Sequence, residues 1–210
     1  MNISEFPKVT VILRGYTTDQ VNTVLEVLDE ETESHKYALE ITLNSPDVFE
    51  TLKDISRKYG NEFHIGAGTV MNLEDAKNAV NAGAQFILSP VQLEKEVLDF
   101  CKSNQVATVP AAMSPSEVYK MKKEGADIIK VFPAAAIGPT FFKDIQSPLG
   151  QLPLMAVGGV SAENAQDFFD NGASFVGIGS GLFNKEDILN QNKEGLKNSL
   201  KYFEDTVFQR

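Results

Sequence analysis

The chain is 210 residues long and 42% hydrophobic, with a formal net charge of -10; it can bury a sizeable core, and no linker, low-complexity tract or charge block divides it, so residues 1–210 are expected to form a single domain. The acidic balance excludes nucleic acid and an anionic membrane face as partners, because each needs a basic surface to displace counterions, and an anionic ligand must be held by local donors. No stretch approaches the ~20 apolar residues of a spanning helix, and the start, MNISEFPKVTV, has neither a basic leader nor a long apolar run, which predicts a cytoplasmic protein.

Short β-branched or apolar runs recur at VTVIL (9–13), YALEITL (37–43), FHIGAG (63–68), QFILS (85–89), VATVP (106–110), DIIKVF (127–132), LMAVGG (154–159) and FVGIG (175–179). Between them lie stretches with apolar residues at three- and four-residue spacing behind capping residues. TTDQVNTVLEVLDEE, NLEDAKNAVNAG, LEKEVLDFCKSN, SPSEVYKMKKEG and SAENAQDFFDNG read as helices on that pattern. Three of them end alike, in NAGAQF, KEGADI and DNGASF, each with a glycine placed to close the helix in left-handed geometry before the next strand. Strand midpoints recur roughly every 20 to 28 residues, the spacing of βα units joined by short loops into a parallel sheet. Eight such units predict a closed (β/α)8 TIM barrel of the α/β class, small for an architecture that runs from ~200 to 400 residues. An open doubly wound sheet is the alternative, and it would leave two edges. The single cysteine, Cys101, has no partner for an internal disulfide and reads as a helix core residue.

Side chains on a barrel strand alternate between the interior and the helix layer, so strand parity sorts the charged residues. Leu39, Ile41 and Leu43 belong outside, which sends Glu40 and Thr42 inward. Ile129 and Val131 outside send Ile128, Lys130 and Phe132 inward; Val11 and Leu13 outside send Ile12 and Arg14 inward. Burying an unpaired charge costs several kcal/mol, so such groups persist where they pair or where chemistry uses them. One reading of Glu40 and Lys130 is a structural ion pair. The other places both near the carboxyl ends of their strands, where barrel active sites are built. There, lost hydration and a neighbouring Arg14 favour a neutral lysine, a nucleophile toward carbonyls. The iminium so formed is an electron sink for breaking an adjacent carbon–carbon bond, and Glu40, with its pKa raised by burial, can shuttle the protons.

Glycines after the last two strands mark a place for phosphate. AVGGVSAEN carries Gly158 and Gly159, with Ser161 as the expected helix cap, and GIGSGLFN carries Gly177, Gly179 and Gly181 around Ser180. Bare backbone N–H groups at these two loops supply positive potential without any lysine; the alternative is that the glycines only make tight turns. GAGTVMN lacks the third glycine of a dinucleotide fingerprint, so Gly66 and Gly68 read as making room in the interior, with Thr69 at the mouth. His35 and His64 stand in no metal-ligand spacing, and no metal or cofactor is expected.

LEITLNSP, IGAGTV, ILSP, IKVFPA with IGP after it, AVGGVSAEN and GIGSGLF, in unbroken order from Val9 to Phe183, resemble the 2-keto-3-deoxy-6-phosphogluconate aldolase family, in particular its 6-phosphogalactonate branch. The resemblance implies a trimeric, metal-free class I aldolase on a (β/α)8 barrel that cleaves a phosphorylated keto-deoxy sugar acid into pyruvate and glyceraldehyde 3-phosphate. It implies Lys130 as the Schiff-base lysine and Glu40 as the proton-shuttling acid. Thr69 falls on the pyruvate-carboxylate contact, Pro90 and Phe132 on the substrate-binding proline and phenylalanine, and Gly158, Gly159, Gly179 and Ser180 on the phosphate contacts. Gluconate-type members usually carry an arginine just after the second strand, where this chain has Leu43-Asn44-Ser45; the galactonate-type pattern pairs LNSP with ILRG, so the carboxylate falls to Arg14. Where the family commonly has Pro-Gly, this chain has Pro110-Ala111-Ala112, an added methyl at the mouth. A phosphate-binding isomerase or epimerase barrel, or a non-catalytic phospho-ligand binding protein, would share the glycine loops but leaves Lys130 without a role.

Overall fold

Strands and helices alternate as the two hydrophobic periodicities dictate, in a computed structural model that describes residues 3–33 and 36–208; His35 lies outside the described residues. The strands are β1 (Val9–Leu13), β2 (Tyr37–Thr42), β3 (His64–Gly68), β4 (Phe86–Leu88), β5 (Ala107–Val109), β6 (Ala111–Ala112), β7 (Ile129–Val131), β8 (Leu154–Val157) and β9 (Phe175–Ile178). The helices are α1 (Thr18–Glu31), α2 (Val48–Tyr59), α3 (Leu73–Asn81), α4 (Lys95–Ser103), α5 (Pro115–Glu124), α6 (Ala134–Ile137), α7 (Thr140–Leu149), α8 (Ala165–Asp170), α9 (Lys185–Leu189) and α10 (Lys193–Val207).

The parallel sheet runs β5-β4-β3-β2-β1-β9-β8-β7-β6. Its two ends flank a single residue, Pro110, which has no N–H to give to a ladder and so splits one barrel strand into β5 and β6. β5 pairs with β4, and β6 pairs with β7, setting Ala111 opposite Lys130. Along the seam the carbonyls of Thr108, Pro110 and Ala112 accept from the N–H groups of Ile128, Lys130 and Phe132 at 3.0, 2.9 and 3.2 Å. The ring is therefore closed, which removes the edges of the doubly wound alternative. The glycine closure predicted for three helices is present: Gly83, Gly125 and Gly172 stand at φ of 97°, 95° and 96°, the left-handed geometry that ends a helix at no steric cost to glycine.

Strand parity divides the apolar side chains into two cores. Val11, Leu13, Leu39, Ile41, Ile129 and Val131 join the cluster between sheet and helices, and Ala38 and Ile128 join the barrel interior with Phe86, Met155 and Phe175. Helices bury one stripe each against the outer faces; α1, capped by a Thr17–Gln20 box, buries Val21, Val24, Leu25 and Leu28. Leu43 packs only partly buried, because β2 ends at Thr42. The ring of Phe6 plugs the amino-terminal end of the barrel, edge-on to Phe86 at 5.2 Å and to Phe175 at 5.6 Å. Burying such a ring is worth about 2 to 3 kcal/mol, and the plug leaves the carboxyl end as the open mouth.

Candidate active site

Lys130 is the middle residue of β7, held by a ladder on both sides between outward-facing Ile129 and Val131, and only 6% of it reaches solvent. Burial pushes its amine below the ordinary lysine range, Glu40 pulls it partly back, and Arg14 pushes it down again. Its Nζ lies 4.8 Å from the centroid of the Phe132 ring, two residues further along. Glu40, on β2, is 1% exposed. Burial raises its carboxyl above the ordinary range, against the pull of Lys130 and Arg14. A lowered amine and a raised acid both move toward neutral forms, the state in which one is a nucleophile and the other a proton donor.

Oε2 of Glu40 is buried and has no hydrogen-bond partner among the described residues. A carboxyl held only to balance a lysine would be satisfied through both oxygens; an orphaned buried oxygen costs about 1 to 3 kcal/mol and asks for a functional reason. The space for this carboxyl comes from β3. A Cβ on Gly68 would collide with Oε1 of Glu40, and a Cβ on Gly66 would meet the Phe86 ring at 2.5 Å. GAG is thus a packing motif, and the reading of it as room in the interior holds.

Arg14 departs from its predicted position. It follows the last residue of β1, where the ladder no longer fixes alternation, and its side chain is exposed at the mouth instead of buried in the interior. There its Nη1 donates to Asn44 Oδ1 and to Thr69 Oγ1, each at 3.3 Å. Thr69 sits at φ of 61°, a left-handed conformation that costs a β-branched residue of order 1 to 3 kcal/mol and concentrates at ligand-binding positions. Below this cluster the buried Ser45 accepts from the N–H of Gly15 at 2.8 Å and bonds Thr42 Oγ1 at 3.2 Å. The loop that carries Arg14 is thereby fastened to the strand that carries Glu40.

Arg14, Phe132, Gly158, Gly159, Gly179 and Ser180 line one cavity of about 520 Å³. The carbonyl of Gly158 accepts from Ala135 N at 2.9 Å and that of Gly159 from Asn164 Nδ2 at 2.8 Å. With the carbonyls tied to α6 and to Asn164, and with no protein acceptor among the described residues for the N–H groups of Gly159, Ser180 and Gly181, this end of the cavity can receive an anion. Pro90 is not among those residues: it lines a second cavity of about 230 Å³ with Ala111 and Ala112, and Phe132 lines both. The Ala111 methyl narrows this second cavity while its N–H bonds the Val91 carbonyl at 2.9 Å, so the strand keeps its course. Ser161 does not cap α8 as expected. Its N–H donates to Asn164 Oδ1 at 2.9 Å and its hydroxyl to Glu163, within a turn that precedes the helix. The sequence reading also missed Asn44, Ser45, Tyr16 and Lys185, the last two lining the large cavity; of these, only the LNSP motif drew notice.

A closed parallel barrel with a buried amine and a buried acid under its carboxyl-end mouth defines an enzyme of the (β/α)8 class, built for carbonyl chemistry. The family described as "Aldolase: KDPG and KHG aldolase" matches residues 3–198, and the chain belongs to it. It is 33% identical over 174 residues, 82% of each chain, to the 2-dehydro-3-deoxy-6-phosphogalactonate aldolase of Escherichia coli. It is 30% identical over 158 residues, 75% of this chain and 71% of the other, to the 2-dehydro-3-deoxy-phosphogluconate aldolase of Pseudomonas aeruginosa. Among solved structures it is similar to the native KDPGal structure, with a TM-score of 0.83, 28% identity and 95% of both chains covered. It is also similar to the KDPG aldolase of Legionella pneumophila, in which pyruvate was captured as a covalent carbinolamine, with a TM-score of 0.83, 26% identity and 94% of both chains covered.

Proposed function

We propose that the chain is a class I, Schiff-base-forming lyase that cleaves a 2-keto-3-deoxy-6-phospho sugar acid, the galactonate type in preference, to pyruvate and glyceraldehyde 3-phosphate. The observation that carries this is the buried Lys130 amine in electrostatic reach of a buried Glu40 carboxyl, one oxygen of which has no partner among the described residues. Lys130 Nζ attacks the C2 carbonyl, and Glu40 passes the protons that turn the carbinolamine into an iminium and release water. The C3–C4 bond then breaks with its electron pair drawn into the iminium, the C4 hydroxyl loses its proton, and glyceraldehyde 3-phosphate leaves. The enamine takes a proton at C3, and water frees pyruvate and the amine.

Arg14 and Thr69 hold the substrate carboxylate, Phe132 and Pro90 shape the walls around the pyruvyl part, and Gly158, Gly159, Gly179 and Ser180 receive the phosphate. The pairing of Arg14 with Asn44 supports the galactonate type, as does the 33% identity to the relative of that name against 30% for the gluconate one. The reading treats 1–210 as one catalytic domain, active in the cytoplasm without a metal or cofactor in an Entner–Doudoroff-type step. It takes the enzyme to be a homotrimer; Met71, Val91 and Met113, exposed on three successive loops at the mouth, are an apolar edge suited to subunit contact. Treatment with pyruvate and borohydride is expected to add a stable mass to Lys130. An unmodified native protein that still cleaves the sugar acid removes the Schiff base from the mechanism.

A further inference from the structure

Lys185, an exposed residue, opens α9 and lines the same cavity as Gly159, Ser161, Ser180 and Gly181. A cation is ill-suited to that position, since the first turn of a helix carries partial positive charge and favours acids such as the next two residues, Glu186 and Asp187. No acid among the described residues holds it there. Lys193 and Lys197 pair with Glu26, Glu30 and Glu31, whereas among the described residues Lys185 enters no ion pair or side-chain hydrogen bond. Its neighbour Asp187 is taken by Asn192 Nδ2 at 2.7 Å.

Ser161, in the lining of that cavity, is bonded to a negative charge behind it. Glu163 accepts from Ser161 Oγ at 2.5 Å and from the Tyr202 hydroxyl at 3.2 Å, and these bonds, the one from Ser161 foremost, hold its carboxyl below the ordinary range. A dianion entering among the glycine N–H groups meets that carboxylate across one serine, in a protein of net charge -10. A residue that breaks a local rule and has no structural partner is where function is to be sought.

We infer that Lys185 is the phosphate counter-ion of this chain, a specificity-determining residue that offsets Glu163 and selects phosphorylated over unphosphorylated substrates. With Arg14 in the same cavity, each anionic end of the substrate then has its own cation. The identity of the substrate rests on the aldolase reading; the binding of phosphate by Lys185 does not.

The test compares wild type, Lys185→Ala and Lys185→Arg in condensing pyruvate with glyceraldehyde 3-phosphate and with unphosphorylated glyceraldehyde, together with deuterium exchange into pyruvate and calorimetric titration of inorganic phosphate. Lys185→Ala is expected to raise KM for glyceraldehyde 3-phosphate about 10-fold, the loss of one charge-assisted contact, while pyruvate exchange and KM for glyceraldehyde stay put. Lys185→Arg is expected to restore most of the loss. An unchanged KM for the phosphorylated aldehyde, or an equal loss with both aldehydes, overturns the assignment. Absence of pyruvate exchange in wild type would sink the aldolase reading instead, and the phosphate titration then decides alone: weaker binding by Lys185→Ala upholds the counter-ion, and equal binding overturns it.

Discussion

The Glu40 carboxyl fills the space that a side chain on Gly68 would occupy. The two residues sit on adjacent strands, β2 and β3, with Gly68 paired to Thr42 two residues beyond Glu40, so the glycine positions the acid. Gly68→Ala is therefore expected to leave the barrel folded but to swing Glu40 away from Lys130, lowering kcat by about 100-fold, the scale of a lost general acid–base group. Gly66→Ala strikes the Phe86 ring instead and should act on stability, by about 1 to 3 kcal/mol of overpacking. Turnover and urea unfolding of both variants separate the two; a Gly68→Ala enzyme with wild-type kcat would detach Glu40 from proton transfer.

Glu40→Gln should cost turnover a similar ~100-fold and yet stabilise the fold at neutral pH. The folded-state pKa of Glu40 is raised by burial. Between about 4.3, the unfolded value, and that raised value, the folded protein keeps a proton the unfolded chain has released, so wild-type stability falls as pH rises through the window. Glutamine has no proton to lose, so the advantage of Glu40→Gln over wild type is expected to grow across it. Chemical denaturation at a series of pH values checks the sign, and a constant difference would mean that the acid is not shifted.

The buried pair was legible because strand parity is rigid: once Leu39 and Ile41, or Ile129 and Val131, are placed against helices, Glu40 and Lys130 have one direction left. One residue past a strand, parity no longer fixes a side chain's direction. Arg14 follows Leu13, and its place was set by Asn44 and Thr69, which are 30 and 55 residues away and which no local periodicity brings to mind. The seam of the barrel was legible only to Pro110, because Ala111 and Ala112 have neither the branching nor the bulk that signals a strand. Lys185 was hidden for a different reason. In NKEDIL it reads as an ordinary exposed helix charge, and only the return of the chain past the glycine loops makes it part of a cavity wall.

Asn44 offers a test of how Arg14 is aimed. Its Oδ1 accepts from Nη1 of Arg14 at 3.3 Å, with Thr69 Oγ1 as the second acceptor. Arg14→Ala should raise KM for pyruvate in the exchange reaction by about 100-fold, the loss of a charge-assisted pair to a carboxylate. Asn44→Ala removes one of two anchors and is expected to raise the same KM by about 3- to 10-fold with kcat nearly unchanged. Asn44→Asp should retain the anchor but place a negative charge beside the carboxylate, and so bind pyruvate less well than Asn44→Ala. Steady-state exchange kinetics give the order directly, and equal KM values for wild type and Asn44→Ala would leave Arg14 aimed by Thr69 alone.

Lys130→Met keeps the length of the side chain and discards the amine. Loss of the pyruvate–borohydride adduct and of turnover is expected, but the stability of this variant is the sharper measurement. Burial lowers the folded-state pKa of Lys130, so between that value and about 10.4, the unfolded value, the unfolded chain binds a proton that the folded site resists. Wild-type stability must then rise with pH through this window on account of Lys130, the opposite sign to Glu40. Methionine has no such term. At pH 7 the variant is expected to unfold at the same or higher urea concentration than wild type, and the wild type should gain on it steadily as the pH climbs into the alkaline range. A difference that stays flat over that range would mean that the amine remains an ordinary charged lysine, unavailable to attack a ketone.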